Sequence, residues 1–555
     1  MLVLLAGWHS TLILLPMVAV VLGCLHAGVR DLALLVLSGL TGGGLVAFSL
    51  FWIWWMSPTA GAIASIAAMT AAVAAIAWLV SRLDRPTMSH AAPLGVAVAV
   101  WMAYAVFVLA FGLAPEGFQS PLGAMQHRFI DLPADNLLPW IFAQQIAAGH
   151  VEVPMVGGWL SSDRPPLQTA YLLACVVPFL PRAEVHSLVQ ASLLQALWVP
   201  AMWVLLASFG LARGAVFLAL AAGMFSGFAF THVLFTWPKL LPVAYIAVTA
   251  AVLLNDTRET LSDARAGATA GACLALAMLS HAGSAFVILG LGLVLAGLRR
   301  VPGARFLGAA AAAGIAVMLP WMLYQALVDP PGNRLAKWHL AGVIQVDSRS
   351  LGQAVRDAYA GLAPGEYVRN KAENLQALIG PPDFPSLVWK ASTTGLDDEG
   401  AVTLRHRQFL HYVATLGVLA LAPLAWLAPR AWRTREFKAS LCLFAACLLT
   451  IVPWVLLVFL PRGTVIHTGS LAVACFLFAS AMLAFYAASR WLAIAAVALH
   501  AALTLDVYGR AKPLAAGVSV ADYRELVALA LVALVVTCVL TWKLSAVPDR
   551  SSVQP

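Results

Sequence analysis

Charged residues are scarce in this chain. Only 10% of its 555 residues are Asp, Glu, Lys or Arg, whereas 62% are hydrophobic and the mean hydropathy is +0.88. This composition excludes a soluble globular domain, and the many apolar runs of about 18 or more residues are typical of transmembrane helices. Because lipid offers no hydrogen-bond partners to an open backbone, these runs must be helical. The sequence therefore predicts an all-α polytopic membrane protein.

Cysteine is sparse too, and its placement excludes two further classes of protein. The seven cysteines all lie inside apolar runs: Cys24, Cys175, Cys273, Cys442, Cys447, Cys475 and Cys538. An odd number of cysteines without metal-ligand spacing favours buried free thiols over a disulfide framework or a thiolate metal centre.

A basic domain is missing, although the net charge is +8. Lys and Arg are spread over the loops between apolar runs, which membrane topology explains and nucleic-acid binding does not. The N-terminus lacks a basic region before its first apolar run and a small-residue cleavage site, so we expect a retained span and not a removed signal peptide.

The apolar runs predict about 13 spans and one helical hairpin. The spans are expected near residues 3–23, 31–57, 59–80, 92–114, 184–208, 214–232, 239–254, 304–327, 409–428, 439–460, 464–488, 491–509 and 525–545. The run 267–298 is interrupted by Ser280-His281-Ala282-Gly283 and predicts two short helices in a hairpin. The chain then divides into a transmembrane extension (1–91), a transmembrane core (92–327) with a first outer loop (115–183), a small extracytoplasmic segment (328–408), C-terminal transmembrane helices (409–545) and a tail (546–555).

The distribution of Lys and Arg predicts the orientation in the membrane. Of the 33 basic residues, 16 lie in one set of loops and 17 on the other side, but nine of those 17 lie in the long segment 328–408. Long segments do not count in the positive-inside rule, so the ratio becomes 16 to 8. We therefore expect the first outer loop and the segment 328–408 on the periplasmic or external side of the inner (plasma) membrane.

The first outer loop contains the polar stretch 127–168. Proline is tolerated in the first turn of a helix but not deep inside one, so a helix is expected to begin near Pro133 or Leu138 and to end at Gly149. Asp135 then lies near a helix N-terminus, where an ionised carboxylate is favoured and can act as a base or bind a cation. The alternative is that Asp131 and Asp135 only cap this helix.

Arg164 follows in the sequence Asp163-Arg164-Pro165-Pro166. Two prolines fix an extended or turning backbone, so the guanidinium would be held rigidly near the span boundary. Its planar fork matches phosphate oxygens bidentately. The alternative is an interfacial anchor whose head extends into water.

The order of these features resembles the membrane glycosyltransferases of the GT-C fold, and in particular the protein O-mannosyltransferases, the aminoarabinose transferases of lipid A and related bacterial sugar transferases. Asp135-Asn136 stands where that pattern has Asp-Glu, Trp140 follows at a matching distance, and Arg164-Pro165-Pro166 stands where it has Lys-Pro-Pro. The resemblance continues through SHAGSA at 280–285 and Pro320-Trp321, and covers about 92–330. Asn136 in place of the second acid and Gly-Gly-Trp in place of Gly-Asp-Trp depart from the pattern.

This resemblance implies transfer of a sugar from a polyprenyl-phosphate donor to a glycan, lipid or protein acceptor outside the membrane, by a single displacement that inverts the sugar. It implies Asp135 as the base that accepts the acceptor proton, with Asp131 as the reserve. Arg164, helped by Lys239, Arg128 or His127, would stabilise the charge on the departing phosphate.

Each of the other polar residues expected on the outer side of the membrane allows two interpretations. In FTWPKLLP, Lys239 is either a second phosphate contact or an interfacial Trp-Lys anchor. In PRGTVIHTG, Arg462 and His467 either line a substrate cleft or belong to a solvated turn. VDPPGNRLAKWHLAG at 328–342 either covers a substrate cleft or is a stalk under a small packed domain.

The sequence offers one candidate site for a divalent cation and no certain cofactor. The three adjacent carboxylates of GLDDEG at 395–400 can hold a hard cation or belong to a solvated turn.

Two other functions fit a charge-poor helical protein. A transporter or flippase of lipid-linked sugars is one, although transporters usually place ionisable residues in mid-membrane and here few charges lie mid-span. A non-catalytic envelope assembly protein with the same fold is the other, and Asn136 favours it.

Overall fold

The computed structural model describes residues 1–114, 120–152, 154–155, 157–255, 259–329, 332–466, 469–510 and 524–546. Every secondary-structure element in these residues is a helix. The first half contains α1 (Leu2–His26), α2 (Leu32–Met56), α3 (Pro58–Arg82), α4 (Arg85–Ser89), α5 (Ala92–Leu113), α6 (Pro121–His127), α7 (Leu138–Ala147), α8 (Leu167–Ala174), α9 (Ala183–Ala196), α10 (Trp198–Ser208), α11 (Arg213–Met224), α12 (Gly227–Phe235) and α13 (Leu241–Asn255). The second half contains α14 (Ala264–Ser280), α15 (Ser284–Gly297), α16 (Ala304–Leu327), α17 (Arg334–Ala341), α18 (Leu351–Ala360), α19 (Pro364–Ile379), α20 (Phe384–Thr393), α21 (Asp398–Leu410), α22 (Tyr412–Leu416), α23 (Arg435–Leu457), α24 (Ala472–Ala488), α25 (Arg490–Gly509) and α26 (Arg524–Leu544).

The prediction of a multi-pass helical membrane protein is confirmed. Within the described residues, 10 helices or helix pairs are long and apolar enough to cross a membrane, and the number rises to 12 if each of two bent pairs counts as one span. The remaining predicted span, 239–254, corresponds to α13, which is only 15 residues long.

The two bent pairs differ from the straight spans that the sequence predicts. α11 and α12 meet at 57°, because Ser226 leaves the helical conformation and its side chain caps the N-terminus of α12. α21 meets the following helical stretch at 115°. His411 is extended at this corner, and an 11-residue 3-10 helix, Gly417–Leu427, stands where a regular α-helical span was expected.

The helices α14 and α15 confirm the expected pair of short helices but do not pack along each other as a hairpin. α14 lies against α13 and α16, whereas α15 lies against α23. A Cβ atom on Gly267 or Gly271 of α14 would come within 2.3 Å of the Phe306 carbonyl or 2.0 Å of the Ala310 carbonyl on α16. Glycines four residues apart therefore let the two backbones meet, as is common between transmembrane helices.

The N-terminal extension shares one core with the rest of the chain. α2 packs against α8, α13 and α14, and His9 on α1 forms a 2.8 Å hydrogen bond with His186 on α9. Helices α3 and α16 lie at the periphery, since only 17% and 11% of their apolar windows are buried within the protein. Their exposed apolar faces suit contact with lipid.

Candidate functional site

Asp135 lies in the 3-10 helix Ala134–Leu137. Pro133 is the N-cap residue of this 3-10 helix and Leu137 is that of α7, and among the described residues no side chain caps either helix start. The prolines therefore place the helix start as the sequence predicts, but the capping interpretation of Asp135 does not describe its contacts.

Arg164 provides the partner of Asp135. Its Nη2 donates a hydrogen bond to Oδ2 of Asp135, and the two side chains are 10% and 6% exposed. Two buried polar atoms of this pair, Oδ1 of Asp135 and Nε of Arg164, form no hydrogen bond with any of the described residues. The pair thus has an acceptor and a donor left for a polar ligand.

A short loop holds Arg164 in place. Arg164 is extended, as expected before a proline. Just before it, Asp163 accepts hydrogen bonds from the Leu160 backbone N–H at 2.8 Å and from Arg334 at 2.7 Å. The Ser161 hydroxyl donates to Asp329 at 2.5 Å. The loop is therefore fixed both to the start of α17 and to the chain just after α16.

Two tryptophans lie on the Arg164 guanidinium. Its central carbon is 4.7 Å from the ring centroid of Trp159 and 5.4 Å from that of Trp237. Lys239 lies on Trp237 as well, with Nζ 3.1 Å from the ring centroid. Two buried cations thus lie on aromatic faces, where cation–π attraction offsets part of their lost hydration.

The turn 236–240, which carries Trp237 and Lys239, is fixed by amide side chains. Gln168 donates to the Thr236 carbonyl at 2.9 Å. Gln195 accepts from the backbone N–H groups of Leu240 and Leu241 at 2.9 and 3.1 Å. Thr236 adopts the left-handed conformation at φ +57°, which costs energy in a β-branched residue, and these bonds hold it there.

Asn136 also helps to hold the chain at the turn 236–240. Its amide nitrogen donates to the Phe235 carbonyl at 2.8 Å, and the side chain is 1% exposed. An ionised carboxylate at this position could not donate this bond. The departure from Asp-Glu therefore has a structural reason in this chain.

The charges of Asp135, Arg164 and Lys239 shift one another's pKa values. Burial raises the pKa of Asp135, and the cations of Arg164 and Lys239 oppose part of this rise. Burial lowers the pKa of Lys239 well below its usual value, Arg164 acts in the same direction, and Asp135 opposes both. A carboxylate with a raised pKa beside two cations is suited to accept a proton and release it again.

Two histidines that were not predicted from the sequence as site residues lie close to these charges. Burial, together with the charges of Lys239 and Arg164, lowers the pKa of His281 well below its usual value and that of His339 to about 4. Nδ1 of His281 accepts the Gly283 N–H at 3.1 Å, which leaves Nε2 to carry the ring proton. Both residues stand in stretches noted in the sequence, but no spacing there points to them.

The cluster defined by Asp135, Arg164, Lys239, His281 and His339 is hereafter called the ionic cluster. The structure brings together three of the residues predicted for the site, Asp135, Arg164 and Lys239. The two histidines and the aromatic rings of Trp159 and Trp237 join them from loops and from α17.

The other predicted site residues lie elsewhere. His127 and Asp131 pair with each other at 3.0 Å and are 45% and 88% exposed. Arg128 is buried beside Phe129 and is not among the charges that act on Asp135. Arg462 is 75% exposed and pairs with Glu373 at 3.4 Å. His467 lies outside the described residues.

The candidate cation site at 395–400 is a helix start. Asp397 accepts the Gly400 N–H at 2.9 Å and so caps α21. In the part of the chain that the structure describes, no group of three or more His, Cys, Asp or Glu side chains is arranged to hold a metal ion.

The ionic cluster combines a buried carboxylate with a spare acceptor, two buried cations and aromatic walls. Such a set can bind a phosphate, bind a ring with hydroxyl groups, and take up a proton. Comparisons of this chain with protein-family models, curated proteins and solved structures give no match, so the interpretation of the cluster rests on its own geometry.

Proposed function

We propose that this protein is an integral membrane glycosyltransferase that moves a sugar from a polyprenyl-phosphate donor to an acceptor hydroxyl on the periplasmic or external side of the inner membrane. The observation that carries the proposal is the buried Asp135–Arg164 pair with Lys239 beside it. This pair supports the proposal because a carboxylate that can act as a base lies beside two cations that can bind a phosphate.

In the proposed reaction the acceptor oxygen attacks the anomeric carbon of the sugar while the bond from that carbon to the phosphate oxygen breaks. The proton of the acceptor hydroxyl passes to Asp135, a contribution to the rate of roughly 10² to 10⁴. The phosphate leaves with the bonding electron pair, and its charge is stabilised by Arg164 and Lys239. One displacement inverts the configuration of the sugar.

The ion pair itself becomes part of this mechanism. Without a donor, Arg164 hydrogen-bonds Asp135 and weakens it as a base. A donor phosphate competes for the guanidinium, because bidentate Arg–phosphate contacts are strong. Donor binding then frees the carboxylate for the acceptor proton.

An apolar groove offers a place for the donor tail. Its volume is about 350 Å³, and it is lined by Tyr412, Leu416, Leu419, Pro423 and Trp426, among others. Tyr412 follows Phe409 by three residues, and the Phe409 ring lies parallel to Trp237 with centroids 6.4 Å apart. The 3-10 helix along the groove is about 20 Å long at its usual rise. Under this proposal the hydrocarbon chain of the donor would lie in this groove.

The position of the charges favours a transferase over a transporter. Asp135, Arg164, Lys239 and His281 lie in a 3-10 turn or in loops between helices. Transporters usually place such groups in mid-membrane within broken helices.

The test compares a polyprenyl phosphate with the polyprenol of the same length, using the purified full chain in phosphatidylcholine nanodiscs. We expect the phosphate form to bind about tenfold tighter or more, the equivalent of one charge-assisted hydrogen bond. Arg164→Gln should remove this preference. Arg213→Gln, which removes an arginine lying on Trp542 away from the cluster, should retain it. Equal binding of both lipids by the wild type would contradict the proposal.

Transfer is tested separately with polyprenyl-phosphate hexoses and pentoses. The released sugar is measured with the wild type and with Asp135→Asn. We expect release from at least one donor and strong loss in the variant, whereas phosphate binding without release from any donor would leave a lipid-phosphate binding protein.

A further inference from the structure

A further buried arginine, Arg405, lies in the segment 328–408. Arg405 on α21 is 3% exposed, and its Nη1 donates to the Val507 carbonyl in the last turn of α25 at 2.7 Å. Its Nε forms no hydrogen bond within the part of the chain that the structure describes. A guanidinium has five N–H donors, so one carbonyl satisfies only a small part of this group.

Arg405 differs from Arg164 in its counter-charge. Among the residues that the structure describes, no carboxylate forms an ion pair with Arg405, whereas Arg164 pairs with Asp135. The charge of Asp398 reaches Arg405, but this residue is exposed and two helical turns earlier on α21. A buried cation without a contacting anion is unfavourable, which points to an anion that the site binds.

Two buried hydroxyl groups, those of Tyr508 and Thr231, lie near Arg405 and interact with each other. Tyr508 directly follows Val507 and is fully buried. Its hydroxyl lies against α12, since a Cβ atom on Gly227 would come within 2.2 Å of it. Thr231 lies one turn after Gly227 on the same face of α12 and is 2% exposed.

Three helices thus bring N–H and O–H donors to one place. α21 supplies Arg405, α25 supplies Tyr508 and α12 supplies Thr231. Aromatic rings surround these groups: the ring centroids of Phe129 and Phe230 are 5.2 and 6.1 Å from that of Tyr508. A guanidinium beside two hydroxyls in an apolar enclosure suits an oxyanion.

We propose that Arg405, Tyr508 and Thr231 form a second anion-binding site, for a phosphate or carboxylate group, separate from the ionic cluster. The two sites are connected through α21, because Phe409 lies one turn after Arg405 and packs on His232 and Trp237. An anion bound at Arg405 holds α21 to α12 and α25. The same contacts hold Phe409 against the tryptophan of the ionic cluster.

The probe is radiolabelled inorganic phosphate, and bound phosphate per purified full chain is measured by equilibrium dialysis. We expect Arg405→Gln to remove one bound phosphate and Tyr508→Phe to weaken that site about tenfold, the equivalent of one hydrogen bond to a charged group. Arg407→Gln is the matched control, since Arg407 is on the same helix but pairs with Asp383 at 3.3 Å. It should bind as much phosphate as the wild type.

The two proposals fail in different ways. Loss of phosphate only in Arg164→Gln, with Arg405→Gln unchanged, would overturn the second site and leave the proposed function standing. Loss of phosphate only in Arg405→Gln would overturn the proposed function and leave the second site standing. If Arg405→Gln fails to fold, the double variant Tyr508→Phe/Thr231→Val decides, because it keeps the shape of the site and removes both hydroxyls. Unchanged phosphate binding in that variant would assign Arg405 to capping α25 alone.

The source of the anion is then determined with nanodiscs. Phosphatidylglycerol that displaces the Arg405-dependent phosphate would identify a lipid headgroup. Phosphate binding that is the same in phosphatidylglycerol and phosphatidylcholine nanodiscs would identify a soluble phosphate.

Discussion

Arg164 donates a hydrogen bond to Asp135 across 29 residues of sequence, and both side chains are nearly excluded from water. Each charge is stabilised mainly by the other, because burial has removed most of the hydration of both. Any ligand that takes the guanidinium therefore changes the carboxylate as well.

Asp135→Asn should lower turnover by a factor on the order of 10² or more, because the amide cannot accept the acceptor proton. It should also lower the melting temperature, since breaking a buried pair costs about 3–5 kcal/mol. Asp131→Asn is the control, because Asp131 is 88% exposed and should affect neither quantity. Full turnover in Asp135→Asn would exclude Asp135 as the base.

The stability loss and the catalytic loss can be separated. Asp135→Asn combined with Arg164→Gln removes both charges, so the melting temperature should recover part of what Asp135→Asn loses. Turnover should stay low. A double variant with restored turnover would show that Asp135 acts only through the fold.

Arg164→Lys should weaken donor binding while the protein still folds. Lysine keeps a positive charge but loses the bidentate fork and the planar stack on Trp159 and Trp237. The affinity for a polyprenyl phosphate is the measurement. Arg213→Lys makes the same change on Trp542 and should leave that affinity unchanged. Donor affinity equal to that of the wild type in Arg164→Lys would argue against a phosphate contact.

Asn136→Asp should lower the melting temperature, although it introduces the kind of acid that the resembling family has next to its first Asp. The carboxylate cannot donate to the Phe235 carbonyl, and an unsatisfied buried group costs about 1–3 kcal/mol. Asn370→Asp on α19 makes the same chemical change at a less buried position and serves as the control. A variant as stable as the wild type would mean that the amide bond does not hold this turn.

Acid should destabilise the protein partly through His339. The pKa of this residue is lowered from 6.5 to about 4 in the folded chain, because burial and the cations of Lys239 and Arg164 disfavour its charged form. The unfolded chain then binds the proton more tightly, so this contribution to stability is present above pH 6.5 and is lost as the pH falls toward 4.

His339→Gln cannot take up that proton. The difference in melting temperature between wild type and variant should therefore change between pH 7 and pH 4, with the wild type losing more. His150→Gln, at an exposed position, is the control variant. A difference that is constant with pH would show that the pKa of His339 is not lowered in the folded chain.

Reporter fusions should give the orientation. Fusions after Arg213, Arg258 and Arg433 should be cytoplasmic, and fusions within α19 should be external, because the count of basic residues in short loops is 16 to 8. A cytoplasmic signal from α19 would place the ionic cluster on the wrong side for the proposed reaction.

The spans were predictable because the lipid interior requires long apolar helices, and a run length is visible in the sequence. The corner at His411 was not predictable from the sequence. It depends on packing, since the ring of His411 lies against Gly380 and its Nδ1 is 2.6 Å from the Ala377 carbonyl. Local apolar composition carries no information on such a contact.

The ionic cluster was predictable in part. Asp135 and Arg164 are close to prolines that restrict the backbone, so the backbone conformation around them could be predicted from the adjacent sequence. His281 and His339 join them only through the tertiary fold. The left-handed Thr236 was equally hidden, because threonine gives no signal for that conformation and the bonds that stabilise it come from Gln168 and Gln195.

The attachment of the Arg164 loop to Asp329 and Arg334 has a consequence for biosynthesis. The chain leaves the ribosome from its N-terminus, so α1 to α13 can enter the membrane before either residue has been translated. Until then Asp163 lacks Arg334, and Ser161 lacks Asp329. A nascent chain stalled before residue 329 would therefore contain Asp135, Arg164 and Lys239 but not the support that fixes their geometry. The protein should become competent to bind its ligand only late in translation.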